Sequence, residues 1–185
     1  KRWSGGDEAG ARPDVYFKLQ RKDGTDFVDV YASTDADNYV KQWTGTPVSW
    51  TVDQTDTSGT AIEYRVVEVD AEGSAWSNEN YTTADPVVTD NNFVFTNTYK
   101  STQIDIYGKK VWENGPESDH VMPDIYLLRN GERQDAAPES VTPEEGTSTE
   151  FTFKWTGLDA TDSSGKAYEY SIGEESIDGY TASAV

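Results

Sequence analysis

The sequence predicts an all-β protein built as two tandem antiparallel β-sandwiches. Apolar and polar residues alternate in short segments such as Val15-Phe17-Leu19 and Ile104-Ile106, and turn-forming clusters such as KDGTD and TDSSG separate these segments. Sustained helical periodicity is missing, and we expect at most a helical turn or two, within residues 136–145. Short strands with frequent turn signals are typical of a β-sandwich.

Internal repetition sets the predicted domain organisation. The phrase DTSGTAIEYRVVE, residues 56–68, returns as DSSGKAYEYSIGE, residues 162–174. The opening KRW returns as KVW, PDVYF returns as PDIYL, and SWT returns as KWT, all in the same order. We therefore predict two copies of one module, residues 1–100 and residues 101–185, each close to a common domain size.

The second copy is shorter at its end. Copy one closes with FVFTNTY, residues 93–99, whereas nothing after Tyr180 resembles this phrase. We therefore expect the second sandwich to lack its closing strand within this chain. The abrupt KRW at the start suggests a fragment of a longer protein.

The composition argues against several classes of function. The chain has a formal net charge of −19 and a pI near 4.2, with no local basic patch, so we expect no nucleic-acid or membrane partner. Cysteine is absent, which removes disulfides and thiolate metal sites. A single histidine and the lack of a G-x-S-x-G motif argue against an enzyme acting on other molecules, and we expect no cofactor or metal.

Three polar residue types fall on predicted strand faces that are otherwise apolar. Because alternate residues of a strand share a face, Glu68 lies on the side of the apolar residues before it, and Asn97 lies on the side of the phenylalanines of FVFTNTY. The same reasoning places Lys110 on the apolar face of its strand. By the repeat, Lys1 takes the position of Lys110 in copy one, and Glu174 takes that of Glu68 in copy two.

These residue types are the reactants of one particular reaction. Burial lowers the pKa of a lysine and raises that of a glutamate, and a neutral amine is a nucleophile. A protonated glutamic acid can hydrogen-bond to an amide oxygen and move protons. If Lys1 and Asn97 meet beside Glu68, the expected product is a Lys–Asn isopeptide bond with loss of ammonia. A buried or rim ion pair with a hydrogen-bonded asparagine is the alternative.

The order of motifs carries a family resemblance. KxW, then Arg-Pro, a tryptophan-containing strand, DxSG followed by YxVxE, a GYT-like phrase and FxxTNTY together resemble the B-type domains of Gram-positive collagen adhesins; related domains occur in pilins and other wall-anchored proteins. The resemblance implies an immunoglobulin-like sandwich cross-linked between a first-strand lysine and a last-strand asparagine, assisted by a glutamate. On matching positions these are Lys1, Asn97 and Glu68, with Lys110 and Glu174 in copy two and no matching asparagine within the chain.

The function implied is that of a structural stalk or spacer in an extracellular, cell-wall-anchored bacterial adhesin or pilin. Its partners would be neighbouring repeats of the same polypeptide, and its chemistry would be a single autocatalytic turnover on itself. The alternative is a module that binds a host extracellular-matrix protein or a glycan.

The remaining candidates are aromatic and acidic residues. Four tryptophans recur between the copies, which favours packing in the core or at its rim over a sugar-stacking platform; they are Trp3, Trp50, Trp112 and Trp155. Trp43 and Trp76 have no clear counterpart and are the better candidates for surface contacts. We expect His120 to be solvated, and Asp35-Ala36-Asp37 to be solvated charge because it lacks the order of a calcium loop.

Overall fold

The structure, a computed structural model, describes residues 1–143 and 149–183. The chain divides into two compact units, here called unit 1 and unit 2. Unit 1 comprises Lys1–Lys100 with Ser163–Gly165, and unit 2 comprises Ser101–Asp162 with Lys166–Val185. Regular structure in the described ranges is β-strand, apart from one 3-10 turn at Glu117–Asp119. None of the described helical segments is long and apolar enough to cross a membrane.

Unit 1 contains nine strands. They are β1 (Arg2–Ser4), β2 (Tyr16–Asp23), β3 (Asp26–Asp29), β4 (Lys41–Gln42), β5 (Tyr64–Val69), β6 (Tyr81–Thr83), β7 (Val87–Thr89), β8 (Asn92–Val94) and β9 (Thr96–Tyr99). In one sheet β2 pairs with β5 along one edge and with β3 and β4 along the other. In the second sheet β9 lies between β1 and β6, and β7 and β8 form a separate hairpin. All these pairs are antiparallel except β1 with β9, which is parallel.

The core of unit 1 lies where apolar residues of the two sheets meet. Val15 and Phe17, at the start of β2, pack with Phe95, which immediately precedes β9. The rings of Phe17 and Phe95 lie 5.1 Å apart between centroids. This contact joins the first sheet to the closing segment, so β9 is part of the core and not only an edge.

The described part of unit 2 contains six strands. They are β10 (Gln103–Val111), β11 (Ile125–Arg129), β12 (Glu132–Arg133), β13 (Ser140–Pro143), β14 (Glu150–Asp159) and β15 (Tyr170–Glu174). One sheet has the order β10-β14-β13 and the other the order β12-β11-β15, and all pairs are antiparallel.

The core of unit 2 is built from both of its sheets. Ile125 and Leu127 of β11 pack with Phe153 and Trp155 of β14. Gly108 on β10 lies directly opposite Phe153, and a Cβ at this position would come within 2.1 Å of the phenylalanine ring. A glycine is therefore required there because the aromatic ring covers its backbone.

Three expectations about local structure need correction. Ile104 is exposed, because the β10–β14 register shifts between Ile104 and Ile106 and only the residues from Ile106 onward keep the predicted alternation. The expected helical turn within residues 136–145 is replaced at its end by β13, while residues 144 and 145 lie outside the described ranges. Trp50 lies in an irregular segment and not in a strand, since β1 pairs with β9 and offers it no antiparallel partner comparable to β10.

Candidate functional site

Three polar side chains meet between the sheets of unit 1. The parallel pairing of β1 with β9 sets Trp3 opposite Asn97, and the backbone N–H of Arg2 donates to the carbonyl of Phe95 over 2.8 Å. This register brings Lys1 to the end of β9 that carries Asn97. Glu68 reaches the same place from β5, which belongs to the other sheet.

One carboxylate oxygen connects the three residues. Lys1 Nζ lies 2.6 Å from Glu68 Oε1, and Asn97 Nδ2 donates to the same Oε1 over 2.7 Å. The side chain of Lys1 is 0% exposed and that of Glu68 is 5% exposed, and Asn97 is fully buried. The structure therefore brings together the three residues that the sequence singled out in copy one.

The site also contains unsatisfied polar atoms. Glu68 Oε2 and Asn97 Oδ1 are buried, and neither has a hydrogen-bond partner in the part of the chain that the structure describes. Buried polar atoms normally have partners, because leaving one without a hydrogen bond costs about 1–3 kcal/mol. Both unsatisfied atoms are acceptors, so a proton carried by Glu68 would relieve the imbalance.

The surroundings favour the neutral form of the lysine. Burial lowers the pKa of the Lys1 side chain, against the opposing effect of the hydrogen bond and charge of Glu68. The ring centroids of Trp3 and Trp76 lie 4.6 Å and 5.6 Å from Lys1 Nζ. The amine thus has one ionisable partner and two aromatic neighbours.

The positions of Trp43 and Trp76 correct the expectation that they serve as surface contacts. Both are partly buried and pack against the core of unit 1. Trp76 meets Trp3 edge to face at 6.2 Å between ring centroids, and its indole N–H donates to the backbone oxygen of Asp14 over 3.0 Å. Sequence reasoning missed its place at the site because it has no counterpart in copy two. The recurring tryptophans do pack in or beside the cores, as predicted.

Unit 2 brings Lys110 and Glu174 together in a more open setting. Lys110 Nζ lies 2.8 Å from Glu174 Oε1, with side-chain exposures of 14% and 20%. Glu174 faces Ile125 across its ladder, whereas Glu68 faces Phe17. The repeat aligns PDVYF with PDIYL, so the register differs by two residues, which keeps the glutamate on the same face.

His120 is not simply solvated, contrary to the expectation. Its ring stacks on Trp112 with centroids 5.7 Å apart, and its Nε2 lies 3.0 Å from the carbonyl of Asn114. Asp35 accepts a hydrogen bond from the backbone N–H of Asn38 over 3.2 Å, within its own turn. The described residues contain no cluster of three or more histidine or acidic residues suited to a metal ion.

Comparison with known proteins supports both the fold and the order of motifs. Residues 106–185 match the Cna protein B-type domain. The chain is 32% identical over 187 residues to a collagen adhesin of Staphylococcus aureus, in an alignment that covers 98% of this chain and 14% of that protein. Its fold is similar to a crystal structure of two B repeat units of the collagen-binding protein of Staphylococcus aureus. That match has a TM-score of 0.54 and 23% identity, and it covers 99% of this chain and 45% of the other.

Proposed function

We propose that the chain forms a stalk or spacer section of a bacterial surface adhesin or pilin, because residues 106–185 match the Cna protein B-type domain and the chain resembles part of a collagen adhesin. The chain spans only 14% of the length of the collagen adhesin that it resembles. The proposed location is outside the cell, on a protein anchored to the cell wall. Neighbouring repeats of the same polypeptide are the proposed partners.

The proposed chemistry is one self-directed reaction in unit 1, between Lys1 and Asn97. The observation that carries it is the shared contact of Glu68 Oε1 with both nitrogens. Transfer of a proton from the Lys1 ammonium to Glu68 leaves an uncharged amine and an uncharged acid. A site without water favours these two groups over an ammonium and a carboxylate. The amine can then attack Cγ of Asn97 as a nucleophile.

The atoms of this reaction balance without any other reactant. Attack of Nζ on Cγ forms one C–N bond and places negative charge on Oδ1, which the acid proton of Glu68 can stabilise by a hydrogen bond. Glu68 then passes a proton to Nδ2 and takes one from Nζ, the bond from Cγ to Nδ2 breaks, and ammonia leaves. The product is an amide between Lys1 and Asn97, and the protein consumes its own reactants in one turnover.

The effect of the bond would be structural. It would join the start of β1 to β9 and close a loop that contains almost all of unit 1. A disulfide closing a loop of this length contributes up to about 5 kcal/mol, and an amide is not broken by reductants. The chain contains no cysteine, so such a bond would supply the covalent stabilisation that disulfides give other extracellular proteins.

Intact-mass measurement of the denatured 185-residue chain tests the proposal. We expect the folded protein to be lighter than its sequence by one ammonia, and a proteolytic digest to contain the peptides of Lys1 and Asn97 as one species. Asn97→Ala should restore the full mass. Lys110→Ala is the matched control and should keep the deficit, because its partner Glu174 contacts no asparagine in the described part of unit 2. A full mass for the unaltered protein would overturn the proposal.

Binding to a host matrix protein or glycan is the second candidate. It is favoured by the relative whose name is collagen adhesin and by the similar structure from a collagen-binding protein. Immobilised collagen and a glycan array, each probed with this chain, distinguish the candidates. Retention of the chain would favour a binding module, whereas the spacer proposal expects no retention.

A further inference from the structure

We propose that Trp76 is a positioning residue for the reaction of Lys1 with Asn97, and that its indole keeps water away from the lysine amine. This inference rests on the proposed function, since it assigns a residue to that reaction. The family motifs of the sequence do not include Trp76, which belongs to the stretch AEGSAWSNEN that copy one alone contains.

Trp76 and Trp3 form two sides of the environment of the amine. Their rings meet at an interplanar angle of 65°, and their centroids lie 4.6 Å and 5.6 Å from Lys1 Nζ. Lys1 nevertheless has no exposed side-chain surface. The indoles therefore occupy space around Nζ that water would otherwise fill.

The other side of Trp76 borders open space. A surface cleft of about 320 Å³ is lined by Trp76 together with Asp14, Asp70 and Asn78, among others. Such a volume holds several water molecules, since one water takes up ~30 Å³. Trp76 lines this cleft and also lies against the buried amine, so its side chain separates the two.

Backbone hydrogen bonds hold Trp76 beside Glu68. The N–H of Trp76 donates to the carbonyl of Glu68 over 3.2 Å, and an isolated bridge pairs Val69 with Ala75. The side chain of Asp70 closes the intervening turn by accepting from the N–H groups of Glu72 and Ser74, over 3.0 Å and 2.8 Å. The turn thus returns the chain to β5 and sets the indole next to Glu68.

No such arrangement is found in the described part of unit 2. The segment after Glu174 reads ESIDGY and contains no tryptophan. Within the described part of unit 2, the ring at cation–π distance from Lys110 is that of Trp112, at 4.5 Å. Lys110 retains 14% side-chain exposure.

The test follows ammonia loss over time after cell-free synthesis, by intact mass, at a series of pH values. We compare the unaltered chain with Trp76→Phe, Trp76→Ala and Trp43→Ala. Trp43 is the matched control because it is also partly buried against the core of unit 1 but lies outside the aromatic contacts of Lys1. Near-ultraviolet circular dichroism checks that each variant folds.

Water admitted by Trp76→Ala should raise the pKa of Lys1 and lower the fraction of neutral amine. If the pKa rises by one unit, the reaction at neutral pH slows about tenfold, and the midpoint of the pH–rate profile moves upward. Trp76→Phe should restore most of the rate, and Trp43→Ala should react like the unaltered chain. Equal slowing by Trp76→Ala and Trp43→Ala, without a shift of the profile, would overturn the inference.

The structure shows which charged groups lie near the Lys1 amine, so a change in the pKa of Lys1 can be assigned to the loss of Trp76. Glu68 faces it from β5, and the α-amino group of Lys1 and the side chain of Arg2 lie at the same end of the chain as the amine. Arg12 lies over the Trp3 ring at 5.2 Å, and Asp14 lines the cleft beside Trp76. None of them is altered by the substitutions.

A second measurement separates this inference from the proposed function. In the Asn97→Ala background the reaction cannot occur, and the pKa of Lys1 can be titrated by NMR of its Cε–Nζ group. Adding Trp76→Ala should raise that pKa, whereas adding Trp43→Ala should not. A raised pKa together with a full mass for the unaltered chain would refute the cross-link but not the shielding, and an unchanged pKa would refute the shielding whatever the mass.

Discussion

The two lysine–glutamate pairs have nearly the same length and very different surroundings. Lys1 and Glu68 lie 2.6 Å apart with side-chain exposures of 0% and 5%, and Lys110 and Glu174 lie 2.8 Å apart with exposures of 14% and 20%. Asn97 donates a hydrogen bond to Glu68 of the first pair. A direct contact between lysine and glutamate is therefore common to both units, whereas nearly complete burial of the pair is found in unit 1.

The neighbours of the two glutamates show why the two pairs differ in exposure. Val66 packs against the core that includes Phe95, whereas Ile172, its counterpart in the repeat, is 38% exposed. Phe95 belongs to the closing segment of unit 1, and the described part of unit 2 has no strand equivalent to β9. The closing strand thus supplies both the amide and much of the apolar cover.

Asn97→Ala should give the largest difference between the units. Loss of a bond that closes nearly the whole of unit 1 should lower its free energy of unfolding by about 5 kcal/mol, which corresponds to a melting temperature lower by about 20 °C or more. Differential scanning calorimetry measures this, with the transition of unit 2 as internal reference. Lys1→Met should act similarly, and an unchanged transition in either variant would contradict the cross-link.

Glu68→Gln, made in the Asn97→Ala background, should have the next largest effect. It removes the acidic partner of the buried Lys1, so the amine must either stay charged without a counter-charge or give up its proton, and breaking a buried pair in this way costs roughly 3–5 kcal/mol. Hydrogen exchange of the amides in the β2–β5 ladder reports the stability of unit 1 directly. A loss below 1 kcal/mol would mean that water reaches this pair as freely as it reaches the pair in unit 2.

Glu174→Gln should cost only about 1 kcal/mol, as is usual for pairs that water can reach. Hydrogen exchange of the β11–β15 ladder measures this loss. Glu63→Gln is the control, because Glu63 pairs with Lys22 at 2.7 Å with both side chains well exposed, and its effect should be close to zero. An effect of Glu174→Gln as large as that of Glu68→Gln would show that cover by the closing strand is unimportant.

Strand parity and the repeat together single out the residues of the proposed reaction but not their arrangement. Alternation placed Glu68 and Asn97 on apolar faces, and the repeat transferred the face of Lys110 to Lys1. The parallel pairing of β1 with β9, which brings Lys1 to Asn97, joins segments about 95 residues apart. No local pattern encodes such a contact, and the family resemblance supplied it.

The errors also have physical causes. Ile104 was placed on a core face because parity assumes an unbroken ladder, and the register shift after it ends that alternation. Trp76 has no counterpart in copy two, and the sequence alone does not show the turn that returns it to β5. Trp50 is predicted to lie in a strand because its counterpart in KWT lies in one. A strand also needs a neighbouring strand to pair with, and Trp50 lies in an irregular segment.

The parallel alignment of β1 and β9 determines how tension would act on unit 1. A pull on Lys1 from one side and on Tyr99 from the other draws the two neighbouring strands in opposite directions along their shared ladder. The ladder is then sheared, and its hydrogen bonds resist together instead of opening one after another. With a covalent tie from Lys1 to Asn97, the force would run straight across two adjacent strands, and the rest of the sandwich would carry none of it.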